Sequence, residues 1–144
     1  MSTGTIVVGV DGSSYSDAAV EKALELAAGL ADTLVVVYAV EPPVRGVGDE
    51  WHESQSALEQ VGAPIVEQAV ARAREAGVAA EATLVPKRPV EALLAVAEER
   101  SARLIVVGTT SERPLTGVIL GSVPHKLVHR SNIPVLVVPL PEAD

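Results

Sequence analysis

The chain has 144 residues and contains no cysteine and no phenylalanine; tryptophan and methionine occur once each and tyrosine twice. Without cysteine there is no disulfide framework and no thiolate for catalysis, redox chemistry or metal binding. Without aromatic bulk the core has to be aliphatic, and with 48% apolar residues, mostly Val, Ala and Leu, a Val-rich sheet under Ala/Leu-rich helices is favoured. Positive charge is also scarce. Eleven Lys and Arg stand against nineteen Asp and Glu, a formal charge of −8. That balance argues against a nucleic-acid or anionic-membrane partner, both of which select for basic patches. No apolar run reaches the roughly 18 residues of a membrane span. The opening MSTGTIVVGVDG has neither a basic region nor a cleavage site, so a cytoplasmic protein is the default expectation. The GxSxG elbow, the Walker loop GxxxxGK[ST] and GxGxxG after a strand are all missing, which removes the standard hydrolase, P-loop and dinucleotide motifs.

What is present reads as alternating strands and helices in one domain, residues 1–144. Residues 5–10 (TIVVGV) form a β-branched run closed by Asp11, Gly12 and Ser13. A helix pattern follows over about 15–31, with Ala19, Ala23, Leu26, Ala27 and Leu30 at helical spacing and Ser13 or Ser14 as cap. Residues 33–40 (TLVVVYAV) are the second strand, ended by Pro42 and Pro43; residues 44–49 (VRGVGD) read as a connector. A short helix over 51–60 and a longer one over 64–76 are expected, with a break or kink between them at Gly62 and Pro64. Residues 78–85 (VAAEATLV) alternate imperfectly, as an edge strand does. Pro89 opens a helix reaching about Arg100, and residues 104–107 and 135–138 are the fourth and fifth strands. Five strands with helices between them indicate a doubly wound α/β fold with a parallel sheet.

The most informative stretch is residues 104–138, LIVVGTTSERPLTGVILGSVPHKLVHRSNIPVLVV. Between its two strands lie Gly108, Thr110, Ser111, Gly117, Gly121 and Ser122. Glycine permits close backbone approach, and unpaired amides at a helix start carry partial positive charge, so the segment suits an anion, phosphate above all. The plainer reading is that these residues only make turns and caps. Ser122, followed by Val123 and Pro124, looks like a helix N-cap, and Pro124 deletes one amide donor.

Glycine, two residues, a small residue, nine residues, then Gly-Ser (Gly108, Ser111, Gly121, Ser122), ahead of NIPVLVV, resembles the nucleotide-binding signature of the universal stress protein family. IVVGVDGSSYSDAAVEKALELAA resembles that family's opening strand, turn and first helix. The resemblance implies a Rossmann-like sheet of order 3-2-1-4-5 with helices on both faces. Ligands bind such sheets beyond the carboxyl ends of the strands where the winding reverses, here between strands one and four, which brings Asp11 and Gly108 to one crevice. It further implies ATP, or ADP or AMP, as a regulatory ligand, with Mg²⁺ if the ligand is ATP. Asp11 would lie against the adenosine moiety, Val10 and Ala39 would line the adenine pocket, and Gly108, Thr110, Ser111, Gly121, Ser122 and Val123 would surround the phosphates. A homodimer through the fifth strand is implied as well, and residues 135–138 carry no charge or internal proline to discourage edge pairing.

Two departures stand out. Ser111 occupies a position where the family's nucleotide-binding members typically have glycine, and its Cβ restricts close approach. Arg103 replaces an acidic residue common before the fourth strand, with no evident bearing on the pocket. His125 and His129 are four apart in HKLVH, which lacks the glutamate of the HExxH pattern and any further ligand cluster, so a solvated face without metal is the favoured reading. No general base, nucleophile or metal-binding carboxylate pair accompanies the loop, so no catalytic residue is assigned and any hydrolysis is slow and incidental. The alternative function is a dimeric interaction module of the same fold whose loop has lost phosphate affinity.

Overall fold

The computed structural model describes residues 4–41, 49–110 and 120–141. Its elements are β1 (Thr5–Gly9), α1 (Ser14–Leu30), β2 (Thr33–Ala39), α2 (Asp49–Glu75), β3 (Ala80–Val85), α3 (Pro89–Glu99), β4 (Leu104–Gly108), α4 (Ser122–Arg130) and β5 (Val135–Val138). The strands form one parallel sheet of order β3-β2-β1-β4-β5, the order the family resemblance implies.

The β-branched runs have a direct packing reason. In a strand, successive side chains point to opposite faces. Ile6 and Val8 of β1, Leu34 and Val36 of β2, and Val106 of β4 pack with α1 and α2. Val7, Val35, Val37, Ile105 and Val107 pack with α3 and Leu127 of α4 on the other face. Both faces of the central strands are therefore buried, which is why β1, β2 and β4 read as continuous apolar runs without polar alternation. The two outer strands differ. β3 exposes Glu81 and Ala82, and in β5 only Val138 is buried, with Val135, Leu136 and Val137 half-buried.

One sequence expectation is overturned here. α2 is a single helix from Asp49 to Glu75 with Pro64 inside it, where two helices were expected. Val66, Ala69, Val70 and Ala73 are buried against the sheet, and this packing outweighs the lost hydrogen bond at proline. Gly62 is explained by proximity, because a Cβ there would stand 2.4 Å from the Tyr38 ring. The expected connector over 44–49 lies outside the described residues up to 48, and Asp49 already belongs to α2.

At the amino-terminal ends of the strands sits an ion pair, buried on its acidic side, that the sequence did not announce. The Asp32 side chain is fully buried, and it accepts hydrogen bonds from the Gly4 amide at 2.9 Å and from Arg103 at 2.6 and 3.1 Å. Arg103 thus ties the start of β4 to the α1–β2 turn and to the chain leading into β1.

Candidate functional site: the crevice at the switch point

At the opposite end of the sheet, the β1–α1 turn is built by its own side chains. Asp11 Oδ1 accepts from the Ser13 amide at 2.9 Å and from the Ser13 hydroxyl. Ser13 caps α1 by accepting from the Ser16 amide at 3.2 Å, and the buried Ser16 hydroxyl donates to the Ser13 carbonyl at 3.1 Å. Gly12 has φ +86°, a conformation that suits glycine. Asp11 is therefore a turn former. Its Oδ2 has no protein partner among the described residues and remains an acceptor.

Beside this turn, where β1 and β4 part, is a crevice of about 190 Å³. Its floor is apolar, from Val37 and Ala39 of β2, Leu93 of α3, Val107 of β4, and Val10. Asp11, Glu41, Thr110, Ser122 and Val123 also line it. Seven of the nine expected site residues fall on its wall: Val10, Asp11, Ala39, Gly108, Thr110, Ser122 and Val123. Gly121 adjoins it, packed on Thr110, and Ser111 lies outside the described residues. Gly9, Ser16, Glu41 and Leu93 were missed. Glu41 had no sequence signal beyond following the second strand, whereas Leu93 was read only as part of a buried helical stripe.

The two expected phosphate-loop glycines have packing reasons of their own. A Cβ on Gly108 would stand 2.7 Å from the Tyr15 carbonyl oxygen, and one on Gly121 would stand 2.9 Å from Thr110 Cα. Neither needs a ligand to explain it.

The start of α4 differs by one residue from the sequence reading. Gly121 is the N-cap, without a side-chain cap, and Ser122 is the first helical residue. Its hydroxyl is thus not occupied in capping. A helix start leaves four amides without helical partners. Here the Gly121 amide donates to the Thr109 carbonyl at 2.7 Å, and Pro124 has no N–H. The amides of Ser122 and Val123 have no partner among the described residues and stand beside the hydroxyls of Ser122 and Thr110. The crevice is thus polarised along the strand order: carboxylates of Asp11 and Glu41 at the β1 and β2 ends, the helix-start amides of Ser122 and Val123 at the β4 side. No lysine or arginine lines it among the described residues.

An apolar crevice at the winding reversal of a parallel α/β sheet, with a helix start on one wall, defines a doubly wound small-ligand-binding protein. The model of the universal stress protein family matches residues 3–139, and the chain belongs to that family. Universal stress protein Rv1636 of Mycobacterium tuberculosis is 34% identical, covering 93% of this chain and 94% of its own. A universal stress protein solved in complex with cAMP superimposes with a TM-score of 0.73 at 34% identity, covering 94% and 96% of the two chains. The universal stress protein from Archaeoglobus fulgidus solved in complex with dAMP gives 0.69 at 25% identity, covering 96% and 99%.

Proposed function

We propose that this universal stress protein binds an adenine nucleotide in the crevice as a regulatory ligand. The nucleoside lies toward Val10, Asp11 and Ala39, and phosphate lies toward Gly108, Thr110, Gly121, Ser122 and Val123. The observation that carries the reading is the polarised crevice. Its carboxylates accept hydrogen bonds from hydroxyl or amino groups of a nucleoside, and on its α4 side the Ser122 and Val123 amides have no protein partner among the described residues. The cAMP and dAMP complexes of relatives support an adenine ligand.

Two free amides and two hydroxyls suffice for one phosphoryl group, so AMP or a cyclic monophosphate is matched at least as well as ATP. With ATP, Mg²⁺ would arrive on the phosphates themselves. Binding is weak, micromolar or weaker, because no cationic side chain among those described assists. Calorimetry with adenosine, AMP, cAMP, ADP and ATP tests this. Binding of the nucleotides above adenosine is expected, and absence of heat with all five up to millimolar concentration would overturn it.

A second reading is favoured by the packing of Gly108 and Gly121, which accounts for both glycines without a ligand. In that case the chain is a dimeric interaction module. Both readings include a homodimer through β5, an edge strand at the end of the sheet.

A further inference from the structure

α4 carries two of the chain's three histidines, His125 and His129, one helical turn apart and both exposed. Their rings meet edge to face, with centroids 4.7 Å apart and planes at 64°. We propose that this pair chelates a divalent transition-metal ion of the Ni²⁺, Cu²⁺ or Zn²⁺ kind, at a site separate from the crevice.

Imidazole suits these ions, and residues four apart on a helix are neighbours on its surface. A metal–nitrogen bond of about 2.1 Å, with about 1.2 Å more to the ring centre, puts each centroid about 3.3 Å from a bound ion. Two centroids 4.7 Å apart then subtend about 90° at the metal, the opening of a cis pair of ligands. Side-chain rotation has to aim one nitrogen of each ring at the ion, and solvent exposure leaves the rings free to make it.

The backbone beneath is held in place. Leu127 is fully buried and Pro124 is buried, so the pair rides on an anchored helix. Of the adjacent cations, Arg130 is paired with Glu91 at 3.1 Å, which moderates its repulsion of a bound ion; Lys126 is exposed and free to turn away. No group of three or more His, Asp or Glu is assembled among the described residues. Solvent therefore completes the coordination, and the affinity is micromolar, below that of a closed structural site.

The test uses the untagged full chain, titrated with NiCl₂ by calorimetry. One ion per chain is expected, at least tenfold weaker in His125→Ala and in His129→Ala, and unchanged in His52→Ala. Electron paramagnetic resonance with CuCl₂ is expected to show two imidazole nitrogens in the unsubstituted protein and one in either α4 variant. Circular dichroism checks that the variants stay folded. Equal affinity in the His125→Ala/His129→Ala double variant, or loss of binding in His52→Ala, would overturn the proposal.

Discussion

Single residues in the crevice do two jobs at once, and substitutions can separate them. Pro124→Ala would add a third amide donor to those of Ser122 and Val123 at the start of α4. One net hydrogen bond is worth about 0.5–1.5 kcal/mol, so AMP affinity is expected to rise about two- to tenfold while adenosine affinity stays constant. Calorimetry with the two ligands reads the difference. Gly108→Ala should destabilise the fold by about 1–3 kcal/mol, because the obstacle is the Tyr15 backbone carbonyl, which has little room to move. Its denaturant midpoint is expected to drop whether or not nucleotide is present. At the other end, Arg103→Met leaves the buried Asp32 carboxylate with the Gly4 amide as its one donor among the described residues. A loss of about 2 kcal/mol is expected in chemical denaturation, smaller than for a fully buried pair because Arg103 is half exposed. Asp11 was legible because a strand-end turn brings its residue type to a predictable place, and Ser122 because it follows glycine at a helix start, one position past the cap it was expected to form. Asp32 and Glu41 were not, since a lone acid in a loop looks the same whether it faces solvent, a partner 71 residues away or a crevice.

Elements were legible where one periodicity dominated. The runs of β1, β2 and β4 and the stripe of α1 declare themselves through burial on two faces or one. α2 did not, because Gly62 and Pro64 carry the local signature of a break while long-range packing runs through them. Pro64 is exposed, so Pro64→Ala gains a helical hydrogen bond without losing core contact. Thermal unfolding is expected to show a stabilisation of up to about 3 kcal/mol. The end of α1 was hidden differently. Ala31 takes the left-handed cap conformation, with φ 56°, that glycine usually fills. Across the far edge of the sheet, Arg100 at the end of α3 holds Glu81 of β3 through two hydrogen bonds of 2.6 and 3.1 Å. The Arg100 hydrogen bond lowers the Glu81 carboxyl below its ordinary 4.5. The contribution is therefore present above pH 4.5 and lost as pH falls through the lower folded value. It is small at an exposed pair, and Arg100→Ala is expected to lower stability slightly at neutral pH and to flatten its acid limb, with the two proteins converging at low pH in denaturation experiments.

At the scale of the whole molecule, the alternation of strand and helix announced a doubly wound sheet. Periodicity alone does not order strands, and the order became legible through the family resemblance. The proposed dimer is a property of that order, since it leaves β5 with one unpaired edge. Leu136 faces the α1 and α2 side and Val137 the α3 and α4 side, both half-buried. Leu136→Lys or Val137→Lys is expected to yield folded monomers by sedimentation and circular dichroism; dimers in both would move the interface elsewhere. The same order has a consequence in time. β1 pairs with β2 soon after both leave the ribosome, yet its other edge waits for β4, with Ile6 meeting Leu104, 98 residues further along the chain. At a synthesis rate of about 5–20 residues per second, that edge stays open for roughly 5–20 s. The central strand of the finished sheet is thus a sticky, half-paired ribbon for most of its birth, and the crevice, which needs both β1 and β4, comes into being only near the end.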